Sequence, residues 1–202
     1  MDIHVRSLRD TQEYSDDEGV SEAIGISNSN WSLFGVVWGS SLTLARLMFD
    51  YSLEGRRILE VGCGLGLASL VLNHRLADIS ATDYHPNSEE FLLLNSKLNG
   101  DADIPFVRAN WADGNIGLGE FDLIIGSDLL YERGHAETLS TFIDQHAKPI
   151  CEVIIVDPGR GQLSRFGKLM VARGYSDVHH DPSAVVAEGE PPRGQTHRYL
   201  RS

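Results

Sequence analysis

The chain predicts a doubly wound α/β fold, a mostly parallel sheet with helices on both faces, and three observations lead there. Short β-branched runs alternate with longer stretches of helical spacing, the first well-defined run ends in three alternate glycines, and no repeat of 20 to 50 residues interrupts the pattern. The candidate strands are Arg57 to Val61, Asp78 to Thr82, Ile104 to Val107, Phe121 to Gly126 and Glu152 to Val156, with weaker ones near Tyr175 to His179 and Thr196 to Leu200. The first five are expected to be the parallel strands buried on both faces.

The helices have recognisable ends. One is expected over Ser41 to Tyr51, before the first strand, and another over Leu67 to Leu76, directly after the glycines. Asn87 followed by Glu90 resembles a capping box; the helix it opens would bury Phe91, Leu94 and Leu98 and stop at Gly100. Ala136, Leu139 and Ile143 repeat the helical spacing in the next crossover, as do Leu163, Phe166 and Met170 before Gly174. Glu13 to Glu22 carries five acids and no Lys or Arg, which suits a solvated loop, a mobile flap or a substrate lid. The expected organisation is one domain over 1–202, with an N-terminal extension or lid over 1–35 and a core over 36–202.

A formal net charge of −12, from 17 Lys and Arg against 29 Asp and Glu, repels phosphate backbones, so nucleic acid is not an expected partner. The two cysteines, Cys63 and Cys151, lie in apolar stretches and suit the reducing cytoplasm better than a secreted disulfide framework. The first residues lack a basic-then-apolar signal pattern, and no unbroken apolar run approaches the roughly 18 to 20 residues of a bilayer span, so no membrane is expected.

The segment Ile58-Leu59-Glu60-Val61-Gly62-Cys63-Gly64-Leu65-Gly66 carries the most chemistry. A strand running through glycines into a helix lets a ligand lie against bare backbone at a helix N-terminus, where a carboxylate is favoured. Asp83, 21 residues beyond Gly62, stands where a ribose-binding acid follows the first βα turn, although Asp83-Tyr84-His85-Pro86 also reads as an ordinary loop start. A dinucleotide fingerprint needs a small residue three positions after its second glycine, and Leu67 stands there. Cys63 has no paired histidine in sequence and reads as a small filler. His179, His180, Asp181 and His197 lack metal-ligand spacing, so no metal is expected. Asp157-Pro158-Gly159-Arg160, after the fifth strand, would border the acceptor cleft.

An acid ahead of Gly-x-Gly-x-Gly resembles motif I of the class I S-adenosylmethionine-dependent methyltransferases. Val36-Val37-Trp38-Gly39-Ser40-Ser41, Ala81-Thr82-Asp83-Tyr84, Asn110-Trp111-Ala112-Asp113 and the run Phe121 to Tyr131, with Asp128 and Tyr131 in an Asp-x-x-Tyr signature, extend the match. Over about residues 34 to 160 the chain resembles the seven-β-strand protein lysine methyltransferases. That resemblance implies a seven-stranded sheet with its last strand antiparallel and S-adenosylmethionine as cofactor. It implies that Trp38 packs beside the cofactor, that Glu60, Gly62, Cys63, Gly64 and Gly66 hold its amino acid part, that Asp83 takes the ribose and that Trp111 flanks the adenine. Tyr84 and Asn110 belong to the same cofactor set, and Ser127 and Asp128 line the transfer site. Trp38 and Trp111 also suit a core role, because aromatics bury large area anywhere.

Transfer from a sulfonium needs a neutral nucleophile. Asp128 would therefore orient an acceptor amine, and Tyr131 would hydrogen-bond it or offer a ring face; a turn cap and a rim residue are their plainer roles. The resemblance makes a protein lysine the expected acceptor. A histidine, a small-molecule amine, a non-catalytic binding module and an NAD-linked oxidoreductase are the alternatives. The first 30 residues, Gly39 and the tail after Arg160 depart from the family pattern.

Overall fold

The computed structural model describes residues 1–114, 116–159, 161–179 and 194–202. A seven-stranded sheet forms the centre, built from β1 (Arg57–Val61), β2 (Asp78–Asp83), β3 (Phe106–Arg108), β4 (Phe121–Ser127), β5 (Ala147–Asp157), β6 (Ser176–His179) and β7 (Gln195–Arg201). The order is β3-β2-β1-β4-β5-β7-β6, with β7 antiparallel to both neighbours and the other pairings parallel. The chain reverses direction across the sheet between β1 and β4, which opens a crevice at their carboxyl ends.

Strand alternation divides the core in two. Leu59, Val61, Ile124, Val153 and Ile155 pack on one face with α5 (His135–His146) and α6 (Leu163–Ala172). Ile58, Leu123, Ile125, Ile154 and Val156 pack on the other with α2 (Gly39–Asp50) and α3 (Leu67–His74). The spacings expected of α5 and α6 hold, since Ala136, Leu139, Ile143, Leu163, Phe166 and Met170 are all buried. An 18-residue window within Asn28–Asp50 does reach a mean hydropathy of 1.3, which unbroken apolar runs alone do not reveal. This segment folds as two 3-10 turns followed by α2, whose Leu44 and Met48 are fully buried among core side chains.

Helix α4 (Ser88–Leu98) differs from expectation in two ways. Its buried face carries Leu92, Asn95 and Ser96, while Phe91 and Leu94 are only half-buried and Leu98 is 54% exposed. Asn87 makes no side-chain cap; its Oδ1 accepts instead from the Tyr14 hydroxyl at 2.8 Å. The cause of the rotated face is the N-terminal segment, which lies along α4 as an extended strap. The Asn95 side chain accepts from Arg6 N at 2.7 Å and donates to Arg6 O at 3.2 Å. One turn later Asn99 does the same with His4, at 2.8 Å in each direction. Two amides four residues apart thus give extended backbone the partners a neighbouring strand would supply.

Asn95→Ala is expected to destabilise the protein by about 2 kcal/mol, the loss of two hydrogen bonds to part-buried backbone, read as a lower urea midpoint. In a chain lacking residues 1–8 the same substitution should cost much less, because its partners are already gone.

Candidate functional site

A cleft of about 620 Å³ opens at the carboxyl ends of β1, β2 and β4. The loop after β1 forms its floor. Gly62, Gly64 and Gly66 all take positive φ, at 59°, 54° and 69°, which bends the chain from strand to helix within a few residues. A Cβ on Gly64 would lie 3.0 Å from the Phe34 carbonyl oxygen, so bare backbone is required there. Gly64 N donates to Asp83 Oδ2 at 2.7 Å, and His85 N donates to Asp83 Oδ1 at 2.8 Å. One carboxylate therefore pins the loops that follow β1 and β2, and burial raises its pKa above the usual range.

Trp38, Gly62, Cys63, Gly64, Asp83, Tyr84, Asn110, Trp111, Ser127, Asp128 and Tyr131 all line this cleft. Trp38 precedes α2 and donates from Nε1 to Leu33 O at 2.9 Å. Asn110 Oδ1 accepts from Ala112 N at 3.0 Å, which turns the chain so that Trp111 follows directly. Asp128 takes φ 58°, a left-handed backbone that Asp tolerates better than most residues, and its N–H donates to Val156 O at 2.9 Å. Tyr131 stands on the rim, 43% exposed.

Glu60 and Gly66 do not line the cleft. Alternation along β1 turns Glu60 toward α3, where its carboxylate accepts from the Ser69 backbone N–H at 2.8 Å and from the Ser69 hydroxyl. Gly66 faces Leu92, which a Cβ there would approach within 2.4 Å. Burial, with the Asp83 charge nearby, raises the Glu60 pKa to about 7. Burial and the same two carboxylates push the Cys63 thiol well up, which leaves it unreactive. Arg160, His180 and Asp181 lie outside the described residues.

For part of the cleft wall the sequence offered only an N-terminal extension or lid over 1–35, with no individual residue singled out. Gly25, Ile26, Ser27, Asn30 and Phe34 of the N-terminal segment line it, with His85 and His135. Phe34 stacks on His85 at 3.9 Å, and Tyr14 meets both rings edge-on. His85 Nδ1 accepts from Asn87 N at 3.2 Å, which places its proton on Nε2, 3.4 Å from the Ser21 hydroxyl. Burial lowers the His85 pKa to about 4, so the ring is neutral at physiological pH. The Tyr84 hydroxyl donates to Ile24 O, and Asn30 Nδ2 donates to Glu132 at 2.5 Å across the cleft. The acidic stretch is thus partly ordered, with Asp16 accepting from Ser21 N and Glu22 N at 3.0 and 2.8 Å.

A glycine loop at the switch point, an acid ending β2 and a polar exit from β4 define the class I methyltransferase fold, and solved structures agree. The magnesium protoporphyrin IX methyltransferase of Synechocystis PCC 6803, solved with S-adenosylmethionine bound, superposes with a TM-score of 0.63 at 17% identity, covering 81% of this chain and 80% of that one. The lysine methyltransferase family matches residues 22–164, well over half of the sequence, and the chain belongs to that family. It is 30% identical to the mouse electron transfer flavoprotein beta subunit lysine methyltransferase over 142 residues, 68% of this chain and 54% of that protein. It is also 30% identical to the zebrafish protein N-lysine methyltransferase METTL21A over 116 residues, 52% of each. The chain spans about half the length of the curated relatives it matches.

Glu60 sets a pH dependence. Its folded pKa of about 7 exceeds the ordinary 4.5, so between those values the native state holds a proton that the unfolded chain releases. Stability therefore falls as pH rises from 4.5 to 7, by about 3 kcal/mol from this group, and levels off above. Urea denaturation of Glu60→Gln at pH 5 and pH 8 should show a smaller decline than the parent. Some decline should remain, because Asp83 is shifted in the same direction.

Proposed function

We propose that this chain is an S-adenosylmethionine-dependent protein lysine methyltransferase. The observation that carries the reading is that Asp83 at the end of β2 and Asp128 just after β4 line one cleft with the glycine loop, within the span that matches the family. The cleft suits the cofactor: backbone without Cβ atoms at Gly62 and Gly64, Asp83 for ribose hydroxyls, Trp38 and Trp111 for flat apolar surfaces, and carboxylates at Asp83 and Asp128 facing a cationic ligand. When bound there, the cofactor supplies an electrophilic methyl group.

The remaining work belongs to the protein. Asp128 accepts a hydrogen bond from the acceptor amine and aims its lone pair, while Tyr131 steadies the amine from the rim. Glu60 acts from behind the loop, holding Ser69 at the start of α3 and so fixing the path of the glycines. The N-terminal segment limits water at the reacting atoms by roofing the cleft from Gly25 to Phe34. The names of the mouse and zebrafish relatives support lysine in a protein as the acceptor. Both cysteines are buried and unbridged, which supports a reducing compartment, the cytoplasm.

Calorimetric titration should give micromolar binding of S-adenosylmethionine and its demethylated product, and none of NAD. Incubation with S-adenosylmethionine and the electron transfer flavoprotein beta subunit, followed by peptide mass spectrometry, should place a methyl group on lysine. Asp128→Asn should lower that rate by about 10² while product affinity stays within about threefold. Binding of NAD instead would overturn the cofactor assignment; methylation confined to small amines would overturn the protein acceptor.

A further inference from the structure

His135 has no part in the sequence motifs, yet it occupies the joint of the cleft. It is the first residue of α5, its side chain is 20% exposed, and it lines the wall between the two ends of the site. Its Nδ1 lies 2.8 Å from Leu129 O; a carbonyl only accepts, so Nδ1 carries a proton. Its Nε2 lies 3.4 Å from the Glu132 carboxylate, the same carboxylate that Asn30 reaches across the cleft.

The ring itself meets two others. Trp111 stands edge-to-face with His135 at 5.3 Å and 77°, and Tyr131 does so at 4.8 Å and 80°. Trp111 comes from the connection between β3 and β4, whereas Tyr131 comes from the loop between β4 and α5. Leu129, whose carbonyl holds the imidazole, packs against Gly62 so closely that a Cβ there would approach its Cδ2 within 2.5 Å. One imidazole thus ties the glycine loop, the Trp111 side and the Tyr131 side together.

We propose that His135 is a positioning residue of the methyl-transfer site, whose ring holds Trp111 and Tyr131 in fixed relation so that the cleft wall is set before ligand arrives. This rests on the cofactor assignment under Proposed function. Edge-to-face packing orients both rings, and the bond to Leu129 O keeps the imidazole from rotating away. Removing the ring leaves Trp111 and Tyr131 anchored to separate loops, so ordering them falls to the ligand.

The test is calorimetric titration of the full chain with the demethylated cofactor product, with thermal melts recorded in parallel. His135→Ala should bind about tenfold more weakly than the parent. His135→Phe, which restores a ring between the other two, should recover to within about threefold. His135→Asn, which keeps a donor for Leu129 O without the ring, should not recover. His146→Ala is the control, since His146 is buried against Phe142 at the far end of the same helix; it should melt lower yet bind as the parent does. Unchanged affinity in His135→Ala would overturn the proposal, and so would recovery in His135→Asn rather than His135→Phe. Failure of the parent to bind the product would overturn the cofactor assignment and this proposal with it.

Discussion

The cleft depends on one carboxylate. Asp83 ends β2 and accepts backbone N–H groups from the loop after β1 and from its own loop, so the two chain segments that form the floor cannot drift apart. A glycine loop held only by its own dihedrals would be entropically loose, because glycine has more conformations to lose than any other residue. The β1 and β2 pairing, in register from Arg57 with Asp78 to Val61 with Thr82, brings Asp83 to the right height. The floor of the cleft is therefore held by contacts within the chain itself.

Behind that floor lies a second acid with different work. Glu60 is turned to the helix side by the pleat of β1 and is bound to Ser69. Its carboxylate meets the first turn of α3 and does not line the cleft. Burial raises the proton affinity of both carboxylates, and the Asp83 charge raises that of Glu60 further.

The N-terminal segment turns an open α/β crevice into a roofed one. Its first residues are strapped to α4 by Asn95 and Asn99, and the stretch that follows closes over the cleft through Phe34 on His85, Ile24 on Tyr84 and Asn30 on Glu132. The bond from Asn30 to Glu132 joins exposed groups, whereas Tyr84 with Ile24 is part-buried and Phe34 on His85 is buried.

The sequence by itself determined the central strands, the glycine turn and the strand-end acids; β3, expected to be buried on both faces, is an edge strand with Val107 36% exposed. Strands buried on both faces must be contiguous apolar runs, the turn at Gly62 to Gly66 needs positive φ, and Asp83 and Asp128 sit at strand ends by their position in the chain. All of that is local information. The tertiary structure alone decided which side of α4 is buried, which way Glu60 points, what covers the cleft and what stands between Trp111 and Tyr131. Those outcomes come from contacts between residues far apart in the chain, such as Arg6 with Asn95, 89 residues on, and Asn30 with Glu132, 102 residues on. An asparagine that binds a strap has no periodicity to announce it, and an aromatic cluster drawn from two loops leaves no spacing to read. Local pattern reports burial and backbone geometry, whereas long-range partners exist only after the chain has folded.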